Sequence, residues 1–582
     1  MNHKKKKSTA YAHADVDKHK TSGNTGNHST MPEPARNDAL ADINAVFRIG
    51  KYLLWVILLA GFVLRVVPIL WGIPLHPYIS SCHPDEGKVF RAILGFPGIY
   101  WTTEPFAGYG TVIQYLIGTV LFPIKLIFIN LLELSDAYTI FAKIFSRLIS
   151  VILGTGTIFI TFSLVQRLFD EKTALLGAAF LSVAFFHTLN SPLITLDVSS
   201  SFLLILNFLL CLHAIKTQKW RDYAILGIAS GFLIGTKTVL GIFMCIPFIL
   251  NILQNFSPTS PPGDSDANPI PMRVRATRLL FYAGIAFVIF ILFHPHIFLD
   301  FEKYIAFYMR EKHDWVDRSR DTITQLLLTW EGNTVKAVGP FLPILALFGM
   351  IFPGKHNRRF KLMLVFFVIA YYGFWRWFLS PRYVIVVTPI LCIFAANACM
   401  LMIRQKHKVV KFAAVALITI TTLHSLYWCI SGVSLRFNDT RLSATKFIMD
   451  NIPAGTVLGL SSVSEKYDWR IHRWNYPKID FKRYRVTNFI YQPEILILNS
   501  SDFEKVIDTI RSGKLSEKYV LPQKYHREWY RYSPPSPRMF KFYEDLLIKG
   551  SMPYKLIKTF KREVNVPLEF APPEIRIYRK MN

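Results

Sequence analysis

The sequence is short of charge, of acid and of cysteine. Only 18% of its 582 residues are charged, against roughly 25% in ordinary soluble proteins, and 39 Asp+Glu face 67 Lys+Arg. So little charge excludes a secreted or cytosolic enzyme and a coiled coil. The six cysteines are scattered, mostly inside apolar runs where they act as small hydrophobes, which excludes a disulfide scaffold. No Gly-rich phosphate loop, nucleophile elbow or dinucleotide fingerprint is present, so cytoplasmic nucleotide chemistry is disfavoured and no nucleic-acid partner is expected.

What fills the chain is apolar sequence. Runs such as 52–71, 384–402 and 412–430 each approach the ~20 residues needed to cross a bilayer, and they recur from residue 52 to residue 430. The first is too long for a signal peptide and many others follow it. The protein is therefore expected to be integral to an inner or plasma membrane and to cross it many times.

Residues 1–45 are rich in Lys, Ser, Asn and His and lack apolar periodicity, so they are expected to be a disordered tail. The lysines at 4–7, with Arg48 and Lys51, place the N-terminus in the cytoplasm. The first span then leads to an outer loop, 72–109. The apolar stretch 110–134, broken at Pro123, either spans or lies in the interface or dips and returns. The second parse keeps Arg167, Lys172, Lys216, Lys219 and Arg221 inside and is favoured on charge. It is helped by residues 227–250, which read as two short helices broken at Gly235-Thr236-Lys237. The expected spans are 52–71, 142–165, 174–189, 196–215, 222–235, 238–252, 279–295, 335–352, 361–378, 383–403 and 411–430, with the Pro/Ser/Asp-rich stretch 257–271 a cytoplasmic linker. Both parses give eleven.

The odd count puts residues 432–582 outside. Stretches 457–460 and 495–498 read as strands, and Ser501-Asp502 as the cap of a helix 503–511, which makes this segment an α/β domain. Its net charge of +11 suits acidic lipid head groups or an anionic glycan, and equally suits plain solubility. The expected fold class is thus an all-α polytopic membrane bundle of about eleven transmembrane helices, 46–431, followed by a C-terminal extracytoplasmic α/β domain, 432–582.

Candidate chemistry gathers on the outer side. Asp85 and Glu86 are adjacent carboxylates in the first outer loop, flanked by His83 and stiffened by Pro84. A carboxylate at a partly dehydrated boundary is pushed towards the range of a general base; an ordinary solvated loop acid is the competing reading. On the preferred topology Asp197, Lys237, His294, His296, Arg376, Arg382 and Tyr383 fall on the same side. Ionisable groups at membrane depth are costly and usually functional, and this set suits a site that binds an anion and activates a hydroxyl. Arg382 is the strongest phosphate ligand, since a guanidinium binds phosphate with two prongs; Lys237 and Arg376 otherwise snorkel or anchor the interface. His83, Asp85 and Glu86 are the candidate ligands for a divalent metal, with no tight ligand spacing to support one.

These residues fall in a recognisable order. His83-Pro84-Asp85-Glu86 in the first outer loop, Tyr109-Gly110, Gln114-Tyr115-Leu116, Ser146-Arg147-Leu148, Gly235-Thr236-Lys237, His294-Pro295-His296, Ser380-Pro381-Arg382-Tyr383 and Asn438-Asp439-Thr440-Arg441 together resemble the GT-C superfamily of integral-membrane glycosyltransferases. Within it the protein O-mannosyltransferase and lipid A aminoarabinose transferase families look most similar. The resemblance covers roughly residues 50–460 and departs where Leu196-Asp197 replaces an Asn-Asp pair, which puts the role of Asp197 in question. It implies a polyprenyl-phosphate sugar donor, a lipid, glycan or protein hydroxyl acceptor, membrane lipids as partners, and inversion without a covalent intermediate. Asp85 would be the general base, Glu86 would orient it or a metal, and Lys237 and Arg382 would hold the leaving phosphate, with Tyr383 and Arg376 beside them and His83, Asp197, His294 and His296 in support. Acceptor choice is assigned to the last 120 residues, which match nothing named. A flippase or transporter and a glycan polymerase or ligase are the alternatives.

Overall fold

A computed structural model of the chain describes residues 33–73, 83–98, 110–255, 271–303, 305, 306, 309, 332–354, 357–375, 380–460, 477, 483–513, 515, 537–564, 566, 567 and 572–581. The chain forms two units, residues 1–51 and 52–582. In the first, helix α1 (Glu33–Val66) begins at Glu33, so residues 33–45 are helical rather than a disordered tail. Pro34 in the first turn and four alanines before residue 46 favour a helix there. Residues 1–32 lie outside the described residues.

The second unit opens on the apolar part of α1, followed by α2 (Pro84–Gly95), α3 (Val112–Leu126), α4 (Ser135–Leu168), α5 (Glu171–Ser182), α6 (Phe185–Asn190), α7 (Leu196–Thr217), α8 (Trp220–Thr236) and α9 (Cys245–Asn255). Next come α10 (Met272–Phe293), α11 (His296–Leu299), α12 (Phe341–Ile351), α13 (Arg358–Trp375), α14 (Thr388–Ile403), α15 (Lys408–Phe437) and α16 (Thr440–Asn451). Among the described residues six helices are long and apolar enough to cross a membrane, or seven if the bent pair Gly332–Val338 and Phe341–Ile351 is one span. Each of the eleven expected segments is helical over most of its described length, but several are short or interrupted, with Val183-Ala184, Gly339-Pro340 and Val387 outside the helices. Conversely, the stretch broken in expectation at Pro123 is one helix, continued by a π-turn to Leu131, and long enough to span. A proline inside a helix removes one backbone donor and kinks or breaks it only if nothing else holds the turn. Here Lys125 Nζ ties the C-terminal turn of α3 to Leu94 O at 2.7 Å.

Close approach decides how α8 sits. Gly227, Gly231 and Gly235 recur every four residues and so share one face. A Cβ at Gly231 would meet Ile289 of α10 at 2.6 Å, and one at Gly235 would meet Val112 at 2.6 Å. Small residues at that spacing let helix backbones touch in a membrane. The helix ends where expected: Lys237 is extended (φ −151°, ψ 99°), and a 3-10 segment and α9 follow.

Past α16 lies a five-stranded sheet in the order β2-β1-β3-β5-β4. Its strands are β1 (Val457–Leu460), β2 (Arg485–Asn488), β3 (Ile495–Asn499), β4 (Tyr554–Phe560) and β5 (Ile575–Lys580). β1 pairs in parallel with β2 and β3, and β5 runs antiparallel to β3 and β4. β3 alternates its side chains between two cores, as period two requires. Ile495 and Ile497 join Ile448 of α16 and Ile452 just after it on one face. Leu496 and Leu498 join Val506 of α17 (Ser500–Arg511) and Phe540 of α18 (Pro537–Tyr543) on the other. Helix α17 starts three residues before expectation, so Ser501-Asp502 lie in its first turn instead of capping it.

Candidate active site

His83-Pro84-Asp85-Glu86 is a helix start, not a loop. His83 is the N-cap of α2 and its Nδ1 accepts from the Asp85 backbone N–H at 3.3 Å; Pro84 sits where no N–H is needed, and the two acids occupy the first turn at the positive end of the helix dipole. Burial, then the charge of Arg382, push the His83 imidazole down to about 3, so it is neutral and free to act as that acceptor. The signal was present in sequence, since Pro followed by two acids is an N-terminal pattern, but histidine is an unusual cap.

Successive helix positions point about 100° apart, so the adjacent acids have separate partners. Asp85 pairs with Arg382, and Lys88 stands 3.9 Å away. Glu86 is fully buried and takes a two-pronged bond from Arg147, Nε to Oε1 at 2.7 Å and Nη2 to Oε2 at 2.8 Å. Arg147 also donates to Ile69 O at 2.6 Å and Trp71 O at 2.7 Å. It therefore locks α2 to α4 and to the end of the first span. Arg147 has no role in the sequence reading, although an arginine inside a long apolar helix is itself a signal.

Asp197, in the first turn of α7, pairs with Lys237 at the end of α8 at 2.6 Å. The two ion pairs meet at Tyr383. Lys237 Nζ lies 4.9 Å and Arg382 Cζ 5.2 Å from its ring centroid, and Arg382 Nη2 reaches the Tyr383 hydroxyl at 3.3 Å. Tyr371 of α13 fixes this corner by donating to Tyr383 O at 2.9 Å. The structure thus brings Asp85, Arg382, Tyr383, Lys237 and Asp197 together.

The histidines stand beside this group through Gly110–Tyr115. A Cβ on Gly110 would lie 2.0 Å from Thr236 O, and a Cβ on Gly235 would lie 3.4 Å from His294 Cε1. His296 Nε2 bonds the Tyr115 hydroxyl at 2.9 Å, and burial lowers its affinity for a proton. His294 Nδ1 meets the carbonyl of Phe290 at 3.2 Å. Arg376 lies outside the described residues.

Trp71 connects the region to the sheet. Its indole N–H donates to Asp439 at 3.0 Å, and Arg436 and Arg441 lie 4.8 and 5.7 Å from its ring centroid. Asp439 caps α16 and pairs with Arg441 at 2.6 Å, both fully buried.

Among the described residues no three His, Cys, Asp or Glu side chains converge as metal ligands. His83, Asp85 and Glu86 turn respectively to a backbone N–H, to Arg382 and to Arg147, so the proposed metal set does not fit.

Comparison with known proteins bears on this geometry. Residues 137–258, which carry Arg147, Asp197 and Lys237, match the family model of dolichyl-phosphate-mannose-protein mannosyltransferase. The oligosaccharyltransferase of Archaeoglobus fulgidus in its apo form is 12% identical, with a TM-score of 0.52 over 91% of this chain and 88% of that one. The same enzyme tethered to an acceptor peptide containing the NVT sequon gives 13% and 0.50 over the same shares. ArnT from Cupriavidus metallidurans bound to undecaprenyl phosphate gives 14% and 0.44 over 81% and 96%. No curated protein sequence matches the chain. Residues 137–258 thus match that mannosyltransferase family model, and the chain as a whole has the fold of the Archaeoglobus fulgidus oligosaccharyltransferase.

Proposed function

We propose that the protein is an inverting glycosyltransferase that moves a sugar from a polyprenyl phosphate to a hydroxyl on a lipid, glycan or protein, on the extracytoplasmic face. The observation that carries this reading is the pair of carboxylate–cation contacts, Asp85 with Arg382 and Asp197 with Lys237, joined at one tyrosine ring. Two cations on one aromatic wall suit a phosphate, and each already holds a carboxylate that an incoming phosphate can replace. The donor phosphate draws Arg382 away and leaves Asp85 with an open lone pair. The acceptor oxygen then attacks the anomeric carbon while its proton passes to Asp85. The bond from that carbon to the phosphate oxygen breaks, and its electron pair stays on the phosphate, where Arg382 and Lys237 stabilise the growing charge. Glu86 takes no part in proton transfer; with Arg147 it fixes the helix that presents Asp85. Acceptor choice is assigned to the last 120 residues, and the N-terminus to the cytoplasm.

The test is transfer from a synthetic polyprenyl-phosphate sugar by purified protein, with donor affinity measured in parallel. Asp85→Asn removes the basic lone pair while keeping shape, so turnover should fall by roughly 10²–10⁴-fold with donor binding kept. A folded Asp85→Asn protein that binds donor and transfers at the parental rate would sink the mechanism.

A further inference from the structure

Helices α7 and α8 form a hairpin whose open end carries Asp197 and Lys237. Its closed end is built differently. The 22 residues of α7 span about 33 Å at about 1.5 Å per residue, close to the ~30 Å hydrocarbon core, so the turn lies at the membrane boundary opposite the candidate active site. Gln218 makes this turn in the left-handed region (φ 54°). It is buried and bonded to Ile215 O at 3.0 Å, to Asn251 Oδ1 at 3.3 Å and to Arg278 at 3.3 Å, so the turn is stiff.

Beside it is an open cavity of about 390 Å³ with two kinds of wall. Leu210 and Ile225 line it on the side towards the bilayer core; His213, Lys219 and Arg221 line the rim. The one acid there, Asp222, is already engaged by the Thr217 hydroxyl and lies 3.5 Å from His213. Trp220, 44% exposed, marks the head-group level, where tryptophan concentrates. Arg278 lies 5.8 Å from the Trp220 ring centroid.

We propose that this groove binds an anionic phospholipid, its phosphodiester between Lys219, Arg221 and His213 and an acyl chain along Leu210 and Ile225. The charge complementarity selects an anionic head group over a zwitterionic one, and the stiff turn means little ordering is lost on binding. The site is independent of the sugar-transfer reading.

The experiment is native mass spectrometry of the full-length protein in detergent with equal phosphatidylglycerol and phosphatidylcholine of one chain length. The parent should retain phosphatidylglycerol preferentially. Lys219→Ala with Arg221→Ala should lower that retention by about fivefold for each cation, roughly 30-fold together. Lys219→Arg with Arg221→Lys keeps both charges and should keep the preference, which guards against loss through misfolding. Ile225→Gln should weaken retention of the lipid, and excess inorganic phosphate should leave it in place. Undiminished retention in the alanine variant overturns the proposal. So does displacement by inorganic phosphate with Ile225→Gln silent, which would make the groove a phosphate site only.

Discussion

Glu86 and Asp85 are neighbours in sequence with opposite jobs, and Glu86→Gln separates them. Arg147 makes four hydrogen bonds, two to Glu86 and two to the carbonyls of Ile69 and Trp71. In the glutamine variant one carboxylate oxygen becomes an NH₂ group. Whichever way the amide turns, one of the 2.7 and 2.8 Å contacts then sets N–H against N–H. The remaining guanidinium loses its only paired carboxylate among the described residues while still fully buried, a situation that costs about 3–5 kcal/mol. The variant should melt roughly 2–4 °C below the parent in detergent, followed by tryptophan fluorescence. Among molecules that remain folded, turnover should fall far less than in Asp85→Asn, because no proton-accepting group is lost. Parental melting would refute the structural role of the pair. Parental melting together with an activity loss matching Asp85→Asn would put Glu86 into the chemistry instead.

The other predictions are briefer. Arg382→Lys keeps the charge without the two prongs and should weaken donor use, Arg382→Ala more so; full activity in both would make Arg382 an interfacial anchor. His83 titrates at about 3 in the folded protein against an ordinary 6.5, so the unfolded chain binds its proton first as pH falls. Stability is therefore whole above pH 6.5 and drops below it by about 1.4 kcal/mol per pH unit, about 2 kcal/mol by pH 5. His83→Gln should lose correspondingly less between pH 7.5 and pH 5, and an equal loss in both proteins would refute it. A reporter fused after residue 218 should read cytoplasm and one at residue 440 the outside; an outside signal at 218 would move Asp197 and Lys237 to the cytoplasmic face.

Much of this was legible because apolar runs and charge clusters are local properties. The helix break at Lys237, strands β1 and β3, and the five residues that meet around Tyr383 all follow from composition and a consistent topology. What was not legible depends on helix phase and long-range pairing. Asp85 and Glu86 read as equals until a helix turns them apart. Arg147 read as a landmark because its partner stands 61 residues away. Strands β4 and β5 are studded with Lys and Arg, and only the pairing of β5 with β3, and of β4 with β5, gives their apolar positions a core. The helix over 112–131 was obscured by Pro123, whose lost bond is a small defect once α2 packs alongside.

The separations in these contacts also set a clock. A chain grows at roughly 5–20 residues per second, so Arg147 emerges about 3–12 s after Glu86, while Arg382 follows Asp85, 297 residues on, by about 15–60 s. Asp439 reaches Trp71, 368 residues on, later still. During synthesis the helix bearing Asp85 is therefore anchored early, while its carboxylate waits at the membrane boundary with Lys88 but without Arg382 until most spans have been made. A chain stalled or clipped before residue 382 keeps Asp85 beside Lys88 of its own helix, 3.9 Å away, but lacks the contact that joins α2 to the segment after α13.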